Sequence, residues 1–207
     1  VFVLLDSVQF EKNGWQNRNR IKTAQGWMWL TVPVRHDFGA TIAETALNNS
    51  VRWQKKHMQA LVTNYSKSPY FSEYRGYFED AYTGDFDRLS LLNAMMLGRF
   101  LESIGVGTRI VRASDFEGLP GDPNERLADM VSRLGGDTYL AGAGCGDYFS
   151  DGPFRKRGIH VVFQEYEPVE YPQLYGDFIP RLAVVDALFN CGGDTLDVIR
   201  KGRRTKI

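Results

Sequence analysis

Between Thr108 and Gln164 the chain alternates strand-like and helix-like runs, and that alternation limits the available folds. Thr108–Ala113 (TRIVRA) is short, rich in β-branched residues and lacks helical spacing. Asp122-Pro123-Asn124-Glu125 then carries a capping signature, with Pro at the first helical position and Glu at the third. It opens a helix over Pro123–Leu134, which Gly135-Gly136 closes. Asp137–Ala141 and Ile159–Gln164 are further short apolar runs, and Val1–Leu5 is another. Strands separated by helices pair in parallel, because the crossover returns each strand in the same direction. The expected fold is therefore α/β, a mainly parallel sheet flanked by helices, in a single domain. Ligands in such sheets bind beyond the carboxyl ends of the strands. That rule gathers Asp6 with the loop Gln9–Arg20, Ser114-Asp115, Gly142–Gly146 and the stretch Gln164–Tyr171 at one rim.

The remaining segments read as an inserted β-hairpin and a helical segment. Arg20–Thr23 and Trp27–Val34 form the hairpin arms, Ala24-Gln25-Gly26 the turn, and Pro33 ends the pairing. Ile42–Leu47 is a short strand. Ser50 is the expected N-cap of a helix Val51–Tyr65. Pro69 separates it from Tyr70–Tyr82, and Asp85 caps Phe86–Ile104, the longest helix. Arg181–Asn190 and Thr195–Lys201 are short helices, and Gly202–Ile207 is expected to be a disordered tail.

Composition narrows the function classes. The 25 basic and 25 acidic residues cancel, so no global field favours nucleic acid or an anionic membrane. No stretch reaches the ~18 apolar residues a membrane span needs. Two cysteines, Cys145 and Cys191, make no disulfide framework, and a reduced cytoplasmic protein is expected. At 13%, the aromatic content favours a site that encloses an organic ligand as well as core packing.

The chemistry concentrates after Leu5. Asp6 ends a strand; its carboxylate either acts as a base, binds an ammonium group or orients Arg18, or bonds nearby backbone as a turn residue. Arg18, Arg20 and Lys22 share one face if the segment is extended, and a guanidinium fork suits a carboxylate or phosphate. Arg18 is expected to pair with Asp6 at the sheet rim, with Gln9 or Asn17 adding an amide contact. His57 lies on the apolar face of its helix, as a core histidine or as the best general base in the chain; His36 and His160 share no metal spacing with it. Cys145 follows a strand in Gly142-Ala143-Gly144-Cys145-Gly146. Its thiol is a nucleophile beside an oxyanion-binding turn around Gly144, or the segment is a tight turn; the absence of GxGxxG, P-loop and GxSxG patterns favours the turn. Asp186 sits among apolar residues and needs a partner, for which an arginine of the first block is expected.

VFVLLDSVQFEKNGWQNRNRIK, followed by WLTVPV at 29–34, resembles the WbqC-like protein family. RWQKKH (52–57), SPYF (68–71), TYLAG (138–142) and FIPRLAVVDALFNCGG (178–193) match as well. The resemblance runs from residue 1 to about residue 193. Family members begin with a strand and a His-Gln-Pro-Tyr-type motif running into a Pro-Trp-Leu-Gly helix, and that block is missing here. The resemblance thus implies a chain lacking its N-terminal β-α unit. It also implies a bacterial enzyme of surface-polysaccharide or specialised-metabolite biosynthesis. The expected reaction is acyl or aminoacyl transfer to an amine of a sugar or small metabolite. The implied partners are a small-molecule or nucleotide-sugar substrate and an acyl-carrier protein as thioester donor. A nucleotidyl-transferase-like or adenylate-forming enzyme and a non-catalytic ligand- or carrier-binding protein are the alternatives. No cofactor or metal is assigned.

Overall fold

The structure is a computed structural model describing residues 1–142, 144 and 149–205. It is α/β. Strand β1 (Phe2–Leu4) is followed by the hairpin β2 (Arg18–Thr23) and β3 (Gly26–Thr31), and by a small antiparallel pair, β4 (Val34–Arg35) with β5 (Ala46–Leu47). Three helices come next: α1 (Trp53–Tyr65), α2 (Phe71–Thr83) and α3 (Leu89–Ser103). The last part runs β6 (Ile110–Arg112), α4 (Pro123–Arg133), β7 (Thr138–Ala141), α5 (Gly152–Lys156), β8 (His160–Phe163), α6 (Val184–Cys191) and α7 (Thr195–Lys201).

The strands expected to be parallel are so, but they do not form one sheet. β1 pairs with β6, Val3 opposite Val111, and β7 pairs with β8, Tyr139 opposite Val161. The two pairs are separate sheets. Residues of β1 and β7 line a common cleft of about 560 Å³ with Met130 of α4 and Leu134 just after it. Among the described residues no strand fills that cleft to join them. This also corrects the expected single rim. His160 is exposed in β8, which belongs to a two-stranded pair and not to a sheet interior.

Two predicted helix starts are displaced, one by a local side-chain bond and one by tertiary pairing. Ser50 bonds the Asn48 side chain instead of capping, and α1 begins after Arg52 with no side-chain cap. Residues expected to open α3 are extended: Leu47 N–H donates to Asp87 O and Leu89 N–H to Thr45 O, so this stretch runs along β5 and the helix starts at Leu89. By contrast Asp122 caps α4 as expected, its carboxylate accepting from the N–H groups of Asn124 (3.0 Å) and Glu125 (2.9 Å). The 202–205 segment is not loose, since Arg203 bridges Tyr166 and Arg204 N–H donates to Glu165 O.

The main core joins the hairpin to the helices through Ile21, Leu61, Tyr65, Phe71, Phe78, Leu188 and Phe189. A second cluster holds Phe10, Leu47, Trp53, Leu89 and Leu92, and a third packs α4 and α5 on β7–β8 through Ala128, Phe154 and Ile159. No helix among the described residues is long and apolar enough to cross a membrane.

Candidate functional site

The hairpin has two faces, and they carry different chemistry. Its period of two sends Ile21 and Leu30 towards the helices and Arg18, Arg20, Trp27 and Trp29 to the opposite side. Between the inner face and α1, α2, α3 and the start of α6 lies a pocket of about 240 Å³. Its wall is mostly apolar, with Leu61, Phe78, Leu92, Met96 and Phe100. Asn17, Arg18, His57, Tyr82 and Asn93 supply its polar groups.

His57 is buried, and its Nε2 lies 3.0 Å from the carbonyl oxygen of Thr31. A carbonyl only accepts, so Nε2 carries the hydrogen and Nδ1 keeps the lone pair. Burial lowers the imidazole pKa, and the Thr31 bond opposes this only in part. The side chain is therefore a neutral base at pH 7. Trp53 and Tyr82 meet it edge-on, with ring centroids 5.2 and 5.8 Å away. The Tyr82 hydroxyl has no hydrogen-bond partner among the described residues, and burial raises its pKa, so it remains a donor.

Two amides are fixed by the same logic. Asn17 Nδ2 donates to Val32 O (2.9 Å) and Asn93 Nδ2 to Gln16 O (2.9 Å), which leaves each Oδ1 as an acceptor. Arg18 is held in place by Asn13 O, Gly14 O and the face of Trp29, whose ring centre is 4.2 Å from the guanidinium carbon. Asn13 makes this possible by adopting φ 69°, a left-handed conformation that asparagine tolerates.

Several expected residues stand elsewhere. Asp6 is buried and spent: Oδ1 accepts from Ser114 N–H and Oδ2 from Ser114 Oγ, both at 2.8 Å. It ties the end of β1 to the turn after β6 and makes no pair with Arg18. Gln9 forms a backbone bridge with Thr41 and does not line the pocket. Arg20 donates to Arg181 O on the outer side of the hairpin. Lys22 is buried, its Nζ bonded to Gln173 Oε1, Gly176 O and Asp177 O, so it clamps a loop instead of meeting ligand.

Asp186 has no arginine. It accepts from Tyr65 (3.2 Å) and lies near Tyr171 and Asn190, and burial pushes its pKa up to about 6 against the pull of those bonds. The first block reaches it through Lys22, whose backbone N–H donates to the Tyr65 hydroxyl. Gly144 is exposed in a turn, and a Cβ there would meet nothing. Cys145 lies outside the described residues. Cys191 is a buried helix-end residue whose thiol pKa burial raises, so it is not a reactive thiolate. Sequence reasoning missed Tyr82 and Asn93. Asn93 had a signal, as the one amide beside Leu92 in the apolar stripe of α3; Tyr82 had none apart from the aromatic run of α2.

Comparison with known proteins fits this arrangement to a family. The model of the WbqC-like protein family matches residues 1–198. The chain belongs to the WbqC-like protein family. This WbqC-like chain is 34% identical over 207 residues to the uncharacterized protein Rv1507c of Mycobacterium tuberculosis (strain ATCC 25618 / H37Rv). The match covers 98% of this chain and 89% of that relative. No solved structure matches it significantly.

Proposed function

We propose that this WbqC-like protein is a transferase that passes an acyl or aminoacyl group from a thioester to an amine of a sugar or small metabolite held in the hairpin pocket. The observation that carries this reading is the state of His57, a buried neutral imidazole whose Nδ1 lone pair has no partner among the described residues, on the wall of a pocket of about 240 Å³. In the step proposed, the acceptor nitrogen attacks the thioester carbonyl, the C–N bond forms and the C–S bond breaks. His57 Nδ1 takes the proton from the attacking nitrogen and returns it to the departing sulfur. The Tyr82 hydroxyl donates to the oxygen that becomes negative in between. Asn17 and Asn93 orient the acceptor through their free carbonyl oxygens.

The test is thiol release from small acyl and aminoacyl thioesters in the presence of amino-sugars, followed with the full chain. His57→Gln keeps a donor for Thr31 O but lacks a base, and turnover is expected to fall about 10²- to 10⁴-fold with the melting temperature little changed. Because the folded-state pKa lies below the ordinary value, activity persists below pH 6.5 and fails only at lower pH. Unchanged turnover in His57→Gln removes the base assignment. Amino-sugar binding without thiol release from any thioester tested makes the protein a non-catalytic binder.

A further inference from the structure

We infer that the outer face of the hairpin is a second binding surface, for a nucleoside diphosphate, free or carrying a sugar. This concerns binding alone and does not depend on the transfer reaction. Three of the four tryptophans gather there: Trp15 lies 5.1 Å from Trp29 and Trp27 5.7 Å from Trp29, centre to centre. Trp15 is 60% and Trp27 45% exposed, although each is a large apolar ring with no need to be on the surface for solubility. Two arginines interleave with them. The Arg18 guanidinium lies 4.2 Å from the centre of Trp29; that of Arg20 lies 5.5 Å from Trp15 and 5.0 Å from Trp27.

Stacking uses the flat faces of a guanidinium and leaves in-plane N–H groups for an anion. Arg18 spends part of its fork on Asn13 and Gly14, and Arg20 one nitrogen on Arg181 O. Arg20 Nε is buried with no partner. Neither arginine is in an ion pair among the described residues. Two uncompensated cations, two residues apart on a strand and so about 7 Å apart, suit a diphosphate. The open indole faces suit the base, because stacking of a base on an aromatic ring contributes about 1–3 kcal/mol. An oligonucleotide is the less favoured occupant, since the chain has no net positive charge to track a long backbone. Trp15 and Arg18 also border the inner pocket, so a sugar on the diphosphate has a route to it.

Calorimetric titration of the full chain with UDP and with ADP tests this. Both are expected to bind, more weakly as salt rises, and more tightly than uridine or pyrophosphate alone. Trp27→Ala and Arg20→Gln, neither of which lines the pocket, are each expected to weaken UDP at least tenfold. Trp27 is exposed, so its variant folds and carries the test if Arg20→Gln does not. No heat with millimolar UDP or ADP overturns the inference. So does wild-type affinity in the variants, equal affinity for uridine and UDP, or tighter binding of an oligouridylate than of UDP. None of these outcomes touches the thiol-release result, and failure of thiol release leaves UDP binding standing.

Discussion

Asp186 is the residue whose physical state is least comfortable. It is fully buried, its partners are the neutral groups Tyr65, Tyr171 and Asn190, and burial pushes its pKa from 3.8 up to about 6. Between those two values the folded state holds more protons than the unfolded state, so this group's contribution to stability falls as pH rises from about 4 to about 6. Above that window the buried charge costs about 3 kcal/mol, at 1.36 kcal/mol per unit. Asp186→Asn is expected to remove this loss. Thermal melts from pH 4 to 8 compared between wild type and variant should diverge in favour of the variant as pH rises, whatever other groups titrate. A constant difference across that range would mean the carboxylate titrates as in the unfolded chain. His57 acts in the opposite sense: its lowered pKa adds stability above 6.5 that is lost as pH falls through the folded value.

The hairpin is the element on which both candidate surfaces depend, and its attachment to the rest of the molecule is polar as well as apolar. Lys22 holds the 173–177 loop through three acceptors, and the chain leaves that loop for Ala183 and Val185 at the pocket wall. Lys22→Met fills the space but leaves those acceptors without a donor, at about 1–3 kcal/mol for each that water cannot reach. A loss of at least about 2 kcal/mol in urea unfolding is expected; a loss below 0.5 kcal/mol would mean that the loop is held by packing alone. The hairpin, α4 with its Asp122 cap, α7 and the strands of both parallel pairs were legible in the sequence, because local propensity and tertiary pairing agree there. The starts of α1 and α3 were not: Ser50 spends its hydroxyl on the Asn48 side chain, and before α3 Asp87 O and Leu89 N–H are spent on Leu47 and Thr45. Of the residues named from type and position, Asn17, Arg18 and His57 line the hairpin pocket, and their roles there are those proposed above. The Asp6–Arg18 pair failed because a strand end and a nearby loop do not determine direction: Asp6 turns to Ser114, and the loop carries Arg18 into the hairpin.

At the scale of the molecule, the two parallel pairs are the unusual feature. Parallel strands are ordinarily buried on both faces within larger sheets, yet Phe2 is 47% and Leu140 48% exposed, and both border the cleft between the pairs. Among the described residues each strand of a pair has one partner strand only, so β1 and β7 each leave a row of backbone donors and acceptors without a strand neighbour there. Unpaired edges beside exposed apolar side chains template pairing with another chain. The protein comprising residues 1–207 is therefore expected to self-associate as concentration rises. Leu140→Lys places a charge at the cleft, where a second edge would have to desolvate it, and should shift the population towards monomer with the circular dichroism spectrum unchanged. Light scattering behind size exclusion measures both. A wild-type chain that stays monomeric at millimolar concentration, or a variant that associates as the wild type does, would place the association surface elsewhere and leave these edges protected by their twist and shortness alone.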